Sequence, residues 1–553
     1  MGFVAVNRET NFSKNYNYRE FPYKTPPEIL EGKQDIYPVV IIGAGPIGLS
    51  LAIDLAQRGI KSVLLDDNNI VSTGSRAICW AKRTLEIFDR LGVASKMMAK
   101  GITWETGRLF NGDKEVFSFN LLPDKDQKFP AFINLQQYYV EEYLIERCFE
   151  LDDFIDLRFS SKVIDHTQSK ENVNITVRCP EGDYHLKSSY MVASDGAESP
   201  TRKRMNLSFD GEIFDEHFLI VDIFMETPPF KSDRPERWFW FAPTFHDGQS
   251  ALLHKQAENI YRIDLQLEEN INRKNELDPE RVRKRIIKVV KSKNFEIDWM
   301  SIYKFKCASL DRMVFDRIIF VGDSAHVVSP FGARGGNGGM HDVDNLCWKL
   351  ACIINGTSDA SLLDSYDAER VHGADENIRN SSWTSRFMSP EPGIEMAFRN
   401  AVLSLAVDTP FARRMVNAGR LSVPCQLDSS ELNSHDSDEF DVAMQTGMVC
   451  LDAPVRHTDG RDDWLMRQIG GGFCLLATGG ATIDPATLPD GITVIEIGSG
   501  RDGSLEDTEG LVAARYGRGV HLIRPDQHLA ARWAAPTPGD ITSALARCAR
   551  IAA

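Results

Sequence analysis

Residues 318–350 read IIFVGDSAHVVSPFGARGGNGGMHDVDNLCWKL, and this stretch decides the fold. The apolar run Ile318 to Val321 predicts a buried parallel strand that ends at Gly322-Asp323. A glycine-rich loop follows the strand. Apolar residues then recur at helical spacing and predict a helix, namely Met340, Val343, Leu346 and Leu350. The stretch therefore predicts a carboxylate at a strand tip and a helix that begins near Gly338, directly after a loop of bare backbone.

This loop and helix start form a predicted site for an electron-rich ligand. The first N–H groups of a helix have no internal partner and carry the positive end of the helix dipole. Glycines let a ligand approach the backbone closely, and we expect Asn337 to act as the N-cap. An ordinary turn with a flexible tip would have the same glycine content, so glycine content alone leaves both interpretations open.

A second strand, loop and helix occur near the N-terminus. The apolar run Val39 to Ile42 predicts a strand, and residues 43–48 read GAGPIG, which has the GxGxxG spacing. A helix follows, and the next predicted strand ends at Asp66. Together these features are the βαβ context of a dinucleotide site, in which the glycines hold a pyrophosphate and the acid binds a ribose. At this point the choice between FAD and NAD stays open.

The ordered strings GDSAH, SPFGARGGN and DNLCWKL within residues 318–350 closely resemble the flavin- and ribityl-binding segment of one enzyme family. This family is the single-component, or class A, flavoprotein aromatic hydroxylases, which include the para-hydroxybenzoate, phenol and hydroxyphenylpropionate hydroxylases. Three shorter segments also resemble the family, namely SRA at residues 75–77, QYYVE at 137–141 and ASDGAESPTR at 193–202.

The resemblance implies one bound FAD and a transient NADH or NADPH. Asp323 is implied to bond the ribityl hydroxyls, Arg76 to lie near the flavin and its phosphates, and Gln137 to bond the ribityl or phosphate, with Gln136 as the alternative register. The start of the predicted helix is implied to stabilise the anionic end of reduced flavin. The predicted cofactor-binding residues are Gly43, Gly45, Pro46, Gly48, Asp66, Arg76, Gln137, Asp195, Gly322, Asp323, Pro330, Gly335, Gly336, Asn337 and Gly338.

The predicted fold class is α/β, with several units along the chain. Residues 209–304 alternate like the strands of an antiparallel sheet, and in the resembling enzymes such a sheet covers the flavin and forms the substrate pocket. The C-terminal part resembles the thioredoxin-like domain of phenol-type hydroxylases, but without Cys-x-x-Cys we expect dimer contacts or packing instead of redox chemistry. The predicted units are 1–37, an N-terminal extension; 38–208 and 305–395, a Rossmann-like FAD-binding domain; 209–304, a substrate-binding sheet; 396–440, a helical segment and linker; and 441–553, the thioredoxin-like domain.

The resemblance also implies the reaction. NAD(P)H reduces FAD, reduced flavin reacts with O2, and the distal hydroperoxide oxygen passes to an aromatic ring. Arg262 matches a strand that reaches the flavin edge and is implied to position the mobile flavin, although its strand face could equally be solvated. Pro330 is implied to face the reaction zone through its carbonyl, and Arg334 stands where relatives have lysine or glutamine.

A base near the substrate is expected, because a phenol reacts faster as phenolate. The candidates are His217, Asp222, His254 and Asp264. We count His254 with Arg262 and Pro330 as a predicted catalytic residue, while a structural role remains the alternative for any histidine on a strand.

Composition limits the other functions. The formal net charge of −16 argues against a nucleic-acid or anionic-membrane partner. The ten cysteines include no Cys-x-x-Cys, so no metal site is expected. We expect a cytoplasmic protein that acts on a small aromatic substrate, and a homodimer is compatible with these features. The alternatives are a same-fold N-hydroxylase, epoxidase or reductase, or a flavin-containing assembly or sensor protein. The Trp-x-Trp-x-Ile-Pro signature of flavin halogenases is absent from the sequence.

Overall fold

The computed structural model describes residues 12–32, 35–74, 77–120, 126–230, 234–246, 249–268, 270–416, 422–436 and 438–550, with the backbone alone for 212–216. The helices in this part of the chain are α1 (Pro27–Leu30), α2 (Pro46–Gln57), α3 (Lys82–Leu91), α4 (Ala94–Lys100), α5 (Gln137–Glu150), α6 (Pro200–Arg204), α7 (Arg273–Glu276), α8 (Pro279–Val290), α9 (Gly335–Ile354), α10 (Leu362–Met388), α11 (Ile394–Ala406), α12 (Pro410–Arg413), α13 (Leu465–Gln468), α14 (Leu511–Tyr516) and α15 (Pro538–Ala549). None of these described helices has the length and apolar character needed to cross a membrane.

The strands fall into five sheets. They are β1 (Ile36–Ile42), β2 (Ser62–Leu65), β3 (Cys79–Ala81), β4 (Thr106–Asn111), β5 (Lys114–Asn120), β6 (Phe132–Asn134), β7 (Ile155–Arg158), β8 (Lys162–Gln168), β9 (Val173–Cys179), β10 (Gly182–Ala193), β11 (Asp210–Phe224), β12 (Glu236–Phe241), β13 (Ala251–Lys255), β14 (Ile260–Leu267), β15 (Glu296–Ser309), β16 (Val314–Phe315), β17 (Ile318–Phe320), β18 (His326–Val327), β19 (Pro454–Arg456), β20 (Asp462–Trp464), β21 (Cys474–Thr478), β22 (Thr493–Glu496), β23 (Glu506–Asp507), β24 (Gly519–Ile523) and β25 (Leu529–Trp533).

The first large sheet, which we call the parallel sheet, has the strand order β16-β17-β10-β1-β2-β7. The edge strand β16 is antiparallel to β17, and β8 and β9 extend β10 as antiparallel strands. The strands β17, β10, β1, β2 and β7 are mutually parallel. Ile42, at the end of β1, pairs with Leu65 of β2 and Ala193 of β10, and Ala193 pairs with Phe320 of β17. The carboxyl ends of four strands therefore meet at one edge, as in a Rossmann-like sheet, and the predicted α/β class is confirmed.

The second large sheet has the order β18-β15-β11-β14-β13-β12-β4-β5 and is antiparallel except where β12 meets β4. One of its faces packs against α8 through an apolar cluster that includes Leu219, Ile263 and Ile286. Strands β4, β5 and β18 come from segments that we assigned to the FAD-binding domain. The sheet is therefore assembled from more of the chain than residues 209–304, and the domain boundaries stay predictions.

The C-terminal unit contains a four-stranded sheet in the order β22-β21-β24-β25 and a small sheet β20-β19-β23. Strands β21 and β22 are parallel, and β24 runs antiparallel to both of its neighbours. This sheet packs together with Trp348 of α9 and Leu362 of α10 in one apolar cluster. The thioredoxin-like assignment of the unit stays a prediction.

The N-terminal segment packs on the molecule from residue 12 onward. Tyr16 and Phe21 are buried in the core of the parallel-sheet unit. The Ser13 hydroxyl donates to Asp298 Oδ2 at 2.6 Å, and Asn15 donates to Asp298 Oδ1 through its side chain at 2.7 Å. The segment thus links the parallel-sheet unit to β15 of the second sheet.

Candidate active site

The tip of β17 is held by a carboxylate of α9. Asp342 Oδ2 accepts a bond from the Gly322 N–H at 2.9 Å and lies 2.7 Å from His326 Nε2, while Asp342 Oδ1 accepts from Arg370 Nε at 2.7 Å. Burial opposes ionisation of Asp342, but its interactions with His326 and Arg370 hold its pKa well below the usual range. This arrangement fixes the turn at Gly322, where φ is +60°, and leaves the Asp323 side chain exposed at the sheet edge.

Our reading of the sequence gave Asp342 and Arg370 no role at the site. A signal was available, because an acid inside a helix that is predicted to be buried requires a specific partner. The partners could not be read from the sequence, since Arg370 lies on the following helix.

Helix α9 begins at Gly335, earlier than predicted, and Asn337 is not its N-cap. Asn337 is the third helical residue. Its Oδ1 accepts from the Ala81 N–H at 2.9 Å and from the Thr84 hydroxyl at 2.7 Å, and its Nδ2 donates to the Cys79 carbonyl at 2.9 Å. The predicted N-cap was wrong because the amide is used to join α9 to β3 and α3.

The N-cap position of α9 is Arg334, and it makes no side-chain cap bond. The first intrahelical bond runs from the Gly338 N–H to the Arg334 carbonyl at 2.7 Å. The N–H groups of Gly335 and Gly336 precede this bond and are available to a ligand. Arg334 itself is buried, and its Nη1 donates to Asn377 Oδ1 at 3.0 Å.

The loop before α9 brings two predicted residues to this end of the helix. A Cβ placed on Gly335 would lie 3.8 Å from Asp323 Oδ1, so the carboxylate is next to the helix start. Pro330 is exposed, and its carbonyl accepts from the Ala333 N–H at 3.0 Å within the loop. One lone pair of that carbonyl is therefore used by the turn, and the other is available.

The GxGxxG segment has the close packing that its glycines predict. A Cβ on Gly48 would lie 1.9 Å from the Gly43 carbonyl oxygen, and a Cβ on Gly43 would lie 2.6 Å from the Ser194 carbonyl oxygen. Gly45 differs, because no described atom lies within 4 Å of a Cβ placed there. Gly43 and Gly48 permit strand, helix and loop to touch, while Gly45 leaves space through which a pyrophosphate can reach the start of α2.

The carboxylates after β2 and β10 lie at the same edge. Asp66 accepts from the Ala44 N–H at 2.7 Å and the Asn68 N–H at 2.8 Å, and burial raises its pKa to about 6. Asp195 accepts from the Ser199 hydroxyl at 2.5 Å. The strand ends thus bring Asp66, Asp195, Asp323 and the GxGxxG loop to one side of the parallel sheet.

The two glutamines at the start of α5 face different parts of the site. Gln137 accepts from the Ala77 N–H at 3.1 Å and donates to the Ser72 hydroxyl at 3.0 Å. Gln136 donates to the Ala257 carbonyl at 3.3 Å, on the side of the antiparallel sheet. Gln137 is therefore the residue beside the loop of Arg76, and Arg76 itself lies outside the described residues.

One face of the antiparallel sheet carries a row of mostly polar side chains that crosses five strands, and we call this row the polar row. The strand register places its members opposite one another, so they share one face. They are Arg237 (β12), His254 (β13), Arg262 (β14), Asp222 (β11) and Trp299 (β15). Arg237 connects the row to the FAD-binding unit, because its Nη1 lies 3.8 Å from Cys79 Sγ of β3. The Cys79 carbonyl in turn accepts a bond from Asn337 of α9.

Arg262 lies on a buried face of the sheet and not on a solvated one. Its Nε and Nη2 donate to the two oxygens of Asp222 at 2.8 and 2.7 Å, and Gln256 also donates to Asp222 at 2.9 Å. Its guanidinium group also lies 5.7 Å from the Trp299 ring. Arg262 is thus held in one position, and Asp222 is occupied as its counter-ion, which removes Asp222 from the candidate bases.

The remaining candidate bases differ in their surroundings. His254 is 2% exposed, and neither ring nitrogen has a hydrogen-bond partner among the described residues. Burial and the charges of Arg237 and Arg262 hold the pKa of His254 well below its usual range. Asp264 lies on the same sheet face, in the next row, and burial raises its pKa to about 6. His217 lies opposite Leu267, in a different row.

The polar row borders a buried apolar cluster. The cluster joins the sheet, the loop before α9 and helices α10 and α11, and its residues include Phe218, Phe239, Phe241, Leu252, Phe331, Phe387 and Leu403. Aromatic side chains beside a few polar groups are the usual composition of a small-molecule site. The cluster lies next to the start of α9, because Phe331 belongs to the loop that leads into this helix.

Fold and site together define a dinucleotide-binding α/β protein with a second, antiparallel sheet next to its ligand edge. The model of the FAD binding domain family matches residues 36–381, so the chain belongs to that family. FAD is accordingly its cofactor, and the open space at Gly45 and the free helix start at Gly335 fit this group.

The relatives support the resemblance found in the sequence. The chain is similar to a flavin-dependent monooxygenase of Mycobacteroides abscessus, with 29% identity over 71% of this chain and 84% of the relative. It is also similar to the 3-(3-hydroxy-phenyl)propionate/3-hydroxycinnamic acid hydroxylase of Klebsiella pneumoniae, with 26% identity over 70% of this chain and 69% of the relative. The expected resemblance to hydroxyphenylpropionate-type hydroxylases is confirmed.

A solved structure has the same fold along nearly the whole chain. The flavin-dependent monooxygenase PieE, in complex with FAD and substrate, superposes with a TM-score of 0.76. The match covers 94% of this chain and 100% of PieE at 21% identity, which establishes the fold alone.

Proposed function

We propose that the protein is an FAD-dependent monooxygenase that uses NADH or NADPH and O2 to hydroxylate a phenolic or other aromatic substrate. One observation carries this proposal. The FAD-binding edge of the parallel sheet lies next to a buried cluster of aromatic side chains and to the polar row of the antiparallel sheet, a combination of groups that suits a flat, partly polar molecule. The family membership and the hydroxylase relatives support the same conclusion.

Bound FAD supplies the redox chemistry, because it takes a hydride from the nicotinamide and reacts with oxygen. The protein contributes position and charge. The N–H groups of Gly335 and Gly336 stabilise negative charge at the start of α9. Asp323 orients hydroxyl groups at the sheet edge, and the Arg262–Asp222 pair keeps the facing sheet wall rigid.

We assign to Asp264 the role of the base that accepts the hydroxyl proton of a phenolic substrate. Its Oδ1 has no hydrogen-bond partner among the residues that the structure describes, and its pKa of about 6 makes it an ionised acceptor at neutral pH. A carboxylate that accepts the phenol proton makes the ring a stronger nucleophile. His254, the residue predicted from the sequence, serves better as a neutral hydrogen-bonding group.

The experiment that tests the proposal starts with the purified protein and its visible absorption spectrum, where bound flavin is expected. NADH and NADPH oxidation is then followed with a panel of phenols and hydroxylated aromatic acids, and product masses are recorded. We expect at least one compound to accelerate oxidation and to gain one oxygen atom.

Two results would contradict the proposal. Rapid nicotinamide oxidation without an oxygenated product from any compound would favour a same-fold reductase, and a folded protein that binds no flavin would reject the FAD site itself. The choice between NADH and NADPH follows from the same assay. The expected homodimer stays a prediction.

A further inference from the structure

The N-terminal segment, residues 12–25, lies outside the part of the chain that matches the family model, but it is packed into the molecule. The side chains of Ser13, Tyr16 and Phe21 are buried. The centre of the Tyr16 ring lies 4.1 Å from the centre of the Tyr138 ring of α5. Burial of this kind indicates that the segment forms part of the folded protein.

The segment binds the loop that follows β2 at two points. The Phe21 N–H donates to the Asn69 carbonyl at 2.7 Å, and the Tyr18 hydroxyl accepts from the Gly74 N–H at 3.1 Å. The loop begins at Asp66, at the carboxyl end of β2, and ligands of open α/β sheets bind outside these strand ends. The segment therefore restrains a loop at the dinucleotide-binding edge.

The same segment is bonded to the antiparallel sheet through Asp298 of β15, which is 3% exposed. This carboxylate accepts from the Ser13 hydroxyl at 2.6 Å, from the Asn15 N–H at 2.9 Å and from the Asn15 side chain at 2.7 Å. A buried carboxylate requires such donors, because it has lost its hydration. One short segment thereby joins the two large sheets.

Gly74 lies directly against the polar row. A Cβ placed on Gly74 would overlap the indole ring of Trp299, and φ of Gly74 is +71°, so the position requires glycine. Trp299 follows Asp298 on β15, and its ring lies 5.7 Å from the guanidinium group of Arg262. Contacts thus run without a break from Tyr18 through Gly74 and Trp299 to Arg262.

We propose that Tyr18 and Asp298 are positioning residues of the active site, which hold the loop after β2 against Trp299 and keep the polar row closed against the FAD-binding edge. This inference rests on the proposed function and adds the N-terminal segment to the site. When the segment is released, the two sheets separate more easily, water reaches the bound flavin and FAD leaves faster.

The first test measures the bound FAD without substrate or NAD(P)H. The rate of FAD dissociation and the quenching of flavin fluorescence by iodide both report how well the site is closed. Tyr18→Phe keeps the ring and loses the bonds that the hydroxyl accepts from the Gly74 and Ser13 N–H groups. We expect FAD to dissociate about three- to ten-fold faster, the effect of one neutral hydrogen bond, and iodide quenching to increase. Asp298→Asn should act in the same direction, because its amide group opposes the donors of Asn15.

Thr25→Val is the matched control. The Thr25 hydroxyl donates to Glu181 Oε1 at 2.9 Å, so this variant removes a bond of the same segment at the protein surface, away from Gly74 and Asp298. FAD dissociation and iodide quenching should stay at the wild-type values. Equal effects of Thr25→Val and Tyr18→Phe would overturn the proposal, and so would wild-type behaviour of both Tyr18→Phe and Asp298→Asn.

A double-mutant cycle tests whether Tyr18 acts through Trp299. Trp299→Leu should accelerate FAD dissociation by itself, because the loop then loses the surface against which it is held. Adding Tyr18→Phe to Trp299→Leu should change the rate by less than about two-fold, since residues that act through one contact are not additive. Fully additive effects would mean that Tyr18 stabilises the fold independently of the polar row, and the proposal would fail.

A last measurement separates this inference from the proposed function. With a compound that the wild-type protein oxygenates, Tyr18→Phe should divert more of the NAD(P)H to hydrogen peroxide, in the reaction NAD(P)H + H⁺ + O2 → NAD(P)⁺ + H2O2. An unchanged share of peroxide would overturn the proposed exclusion of water. If the wild-type protein oxygenates no compound, the proposed function fails, while the FAD dissociation rates still decide the role of the N-terminal segment.

Discussion

At the scale of single residues, Asp264 is the candidate base with a testable pH signature. Burial raises its pKa to about 6, so the ionised fraction grows as the pH rises through 6. We therefore expect kcat/KM to increase with pH around 6 and then to level off. Asp264→Asn should remove this limb and lower kcat by roughly 10²- to 10⁴-fold, the usual contribution of a general base. Steady-state rates with a phenolic substrate, measured between about pH 5 and 8, check both points.

His254 provides the control for this prediction. Its pKa is held well below the usual range, so it stays neutral and cannot produce a limb near pH 6. His254→Asn should weaken substrate binding and preserve the shape of the pH profile. A limb that disappears in His254→Asn but persists in Asp264→Asn would reverse the assignment.

At the scale of one element, the glycines of α9 differ in function: one permits close packing and another keeps the helix start accessible. A Cβ on Gly339 would lie 2.7 Å from Ile47 Cδ1 and 3.1 Å from the Gly322 Cα, so Gly339→Ala separates α9 from α2 and from the tip of β17. We expect a loss of about 1–3 kcal/mol in the free energy of unfolding, typical of overpacking. Urea unfolding of the FAD-loaded wild-type and variant proteins measures this difference in the free energy of unfolding.

The matched variant in the same helix is Gly335→Ala. A Cβ there meets Val328 at 3.7 Å and Asp323 Oδ1 at 3.8 Å, which are ordinary contacts. Stability should therefore be unchanged or slightly higher, because alanine favours the helix. FAD affinity should fall, since the methyl group occupies the approach to the helix start. Equal loss of stability in both variants would contradict this division of roles.

The same helix shows what a sequence can and cannot specify. Its existence followed from apolar periodicity, which is a local signal. Its predicted role at the flavin came from the resemblance of the whole stretch to the family, since the glycines alone left an ordinary turn open. Its first residue and the role of Asn337 did not follow. They depend on Ala81 and Thr84, which are distant in sequence and reach the amide only after folding. The polar row was equally hidden, because strand register decides which side chains face one another.

At the scale of the whole molecule, the attachment of the C-terminal unit was the least predictable feature. The absence of Cys-x-x-Cys from that unit led us to expect packing against the FAD-binding domain or a dimer contact, without naming residues. The structure joins it to α9 and α10 through buried charges. Arg524 donates to both oxygens of Glu369 at 2.6 and 2.9 Å, and Lys349 donates to Glu369 at 2.8 Å. Pairings between segments so far apart leave no periodic signal in the sequence.

This junction yields a prediction about cooperativity. Arg524 is fully buried and also binds Asp526, which in turn accepts a bond from Trp348 Nε1 of α9 at 3.1 Å. Arg524→Met leaves Glu369 and Asp526 without their main counter-charge, at a cost of about 3–5 kcal/mol. Since α9 carries the FAD-binding helix start at its other end, we expect the C-terminal unit to unfold first in this variant, while flavin release follows at higher temperature.

Circular dichroism and flavin fluorescence, recorded on the same heating ramp, measure the two events. In the wild-type protein, unfolding and flavin release should occur at the same temperature. In Arg524→Met, we expect the two transitions to separate and the midpoint temperature of the first, the unfolding of the C-terminal unit, to fall. The control is Arg501→Met, which removes an exposed ion pair with Glu496 in the same unit and should cost at most about 1 kcal/mol. Coincident transitions at an unchanged midpoint in Arg524→Met would mean that apolar packing around Trp348 alone holds the unit in place. The charged junction would then contribute to the specificity of docking without adding to its strength.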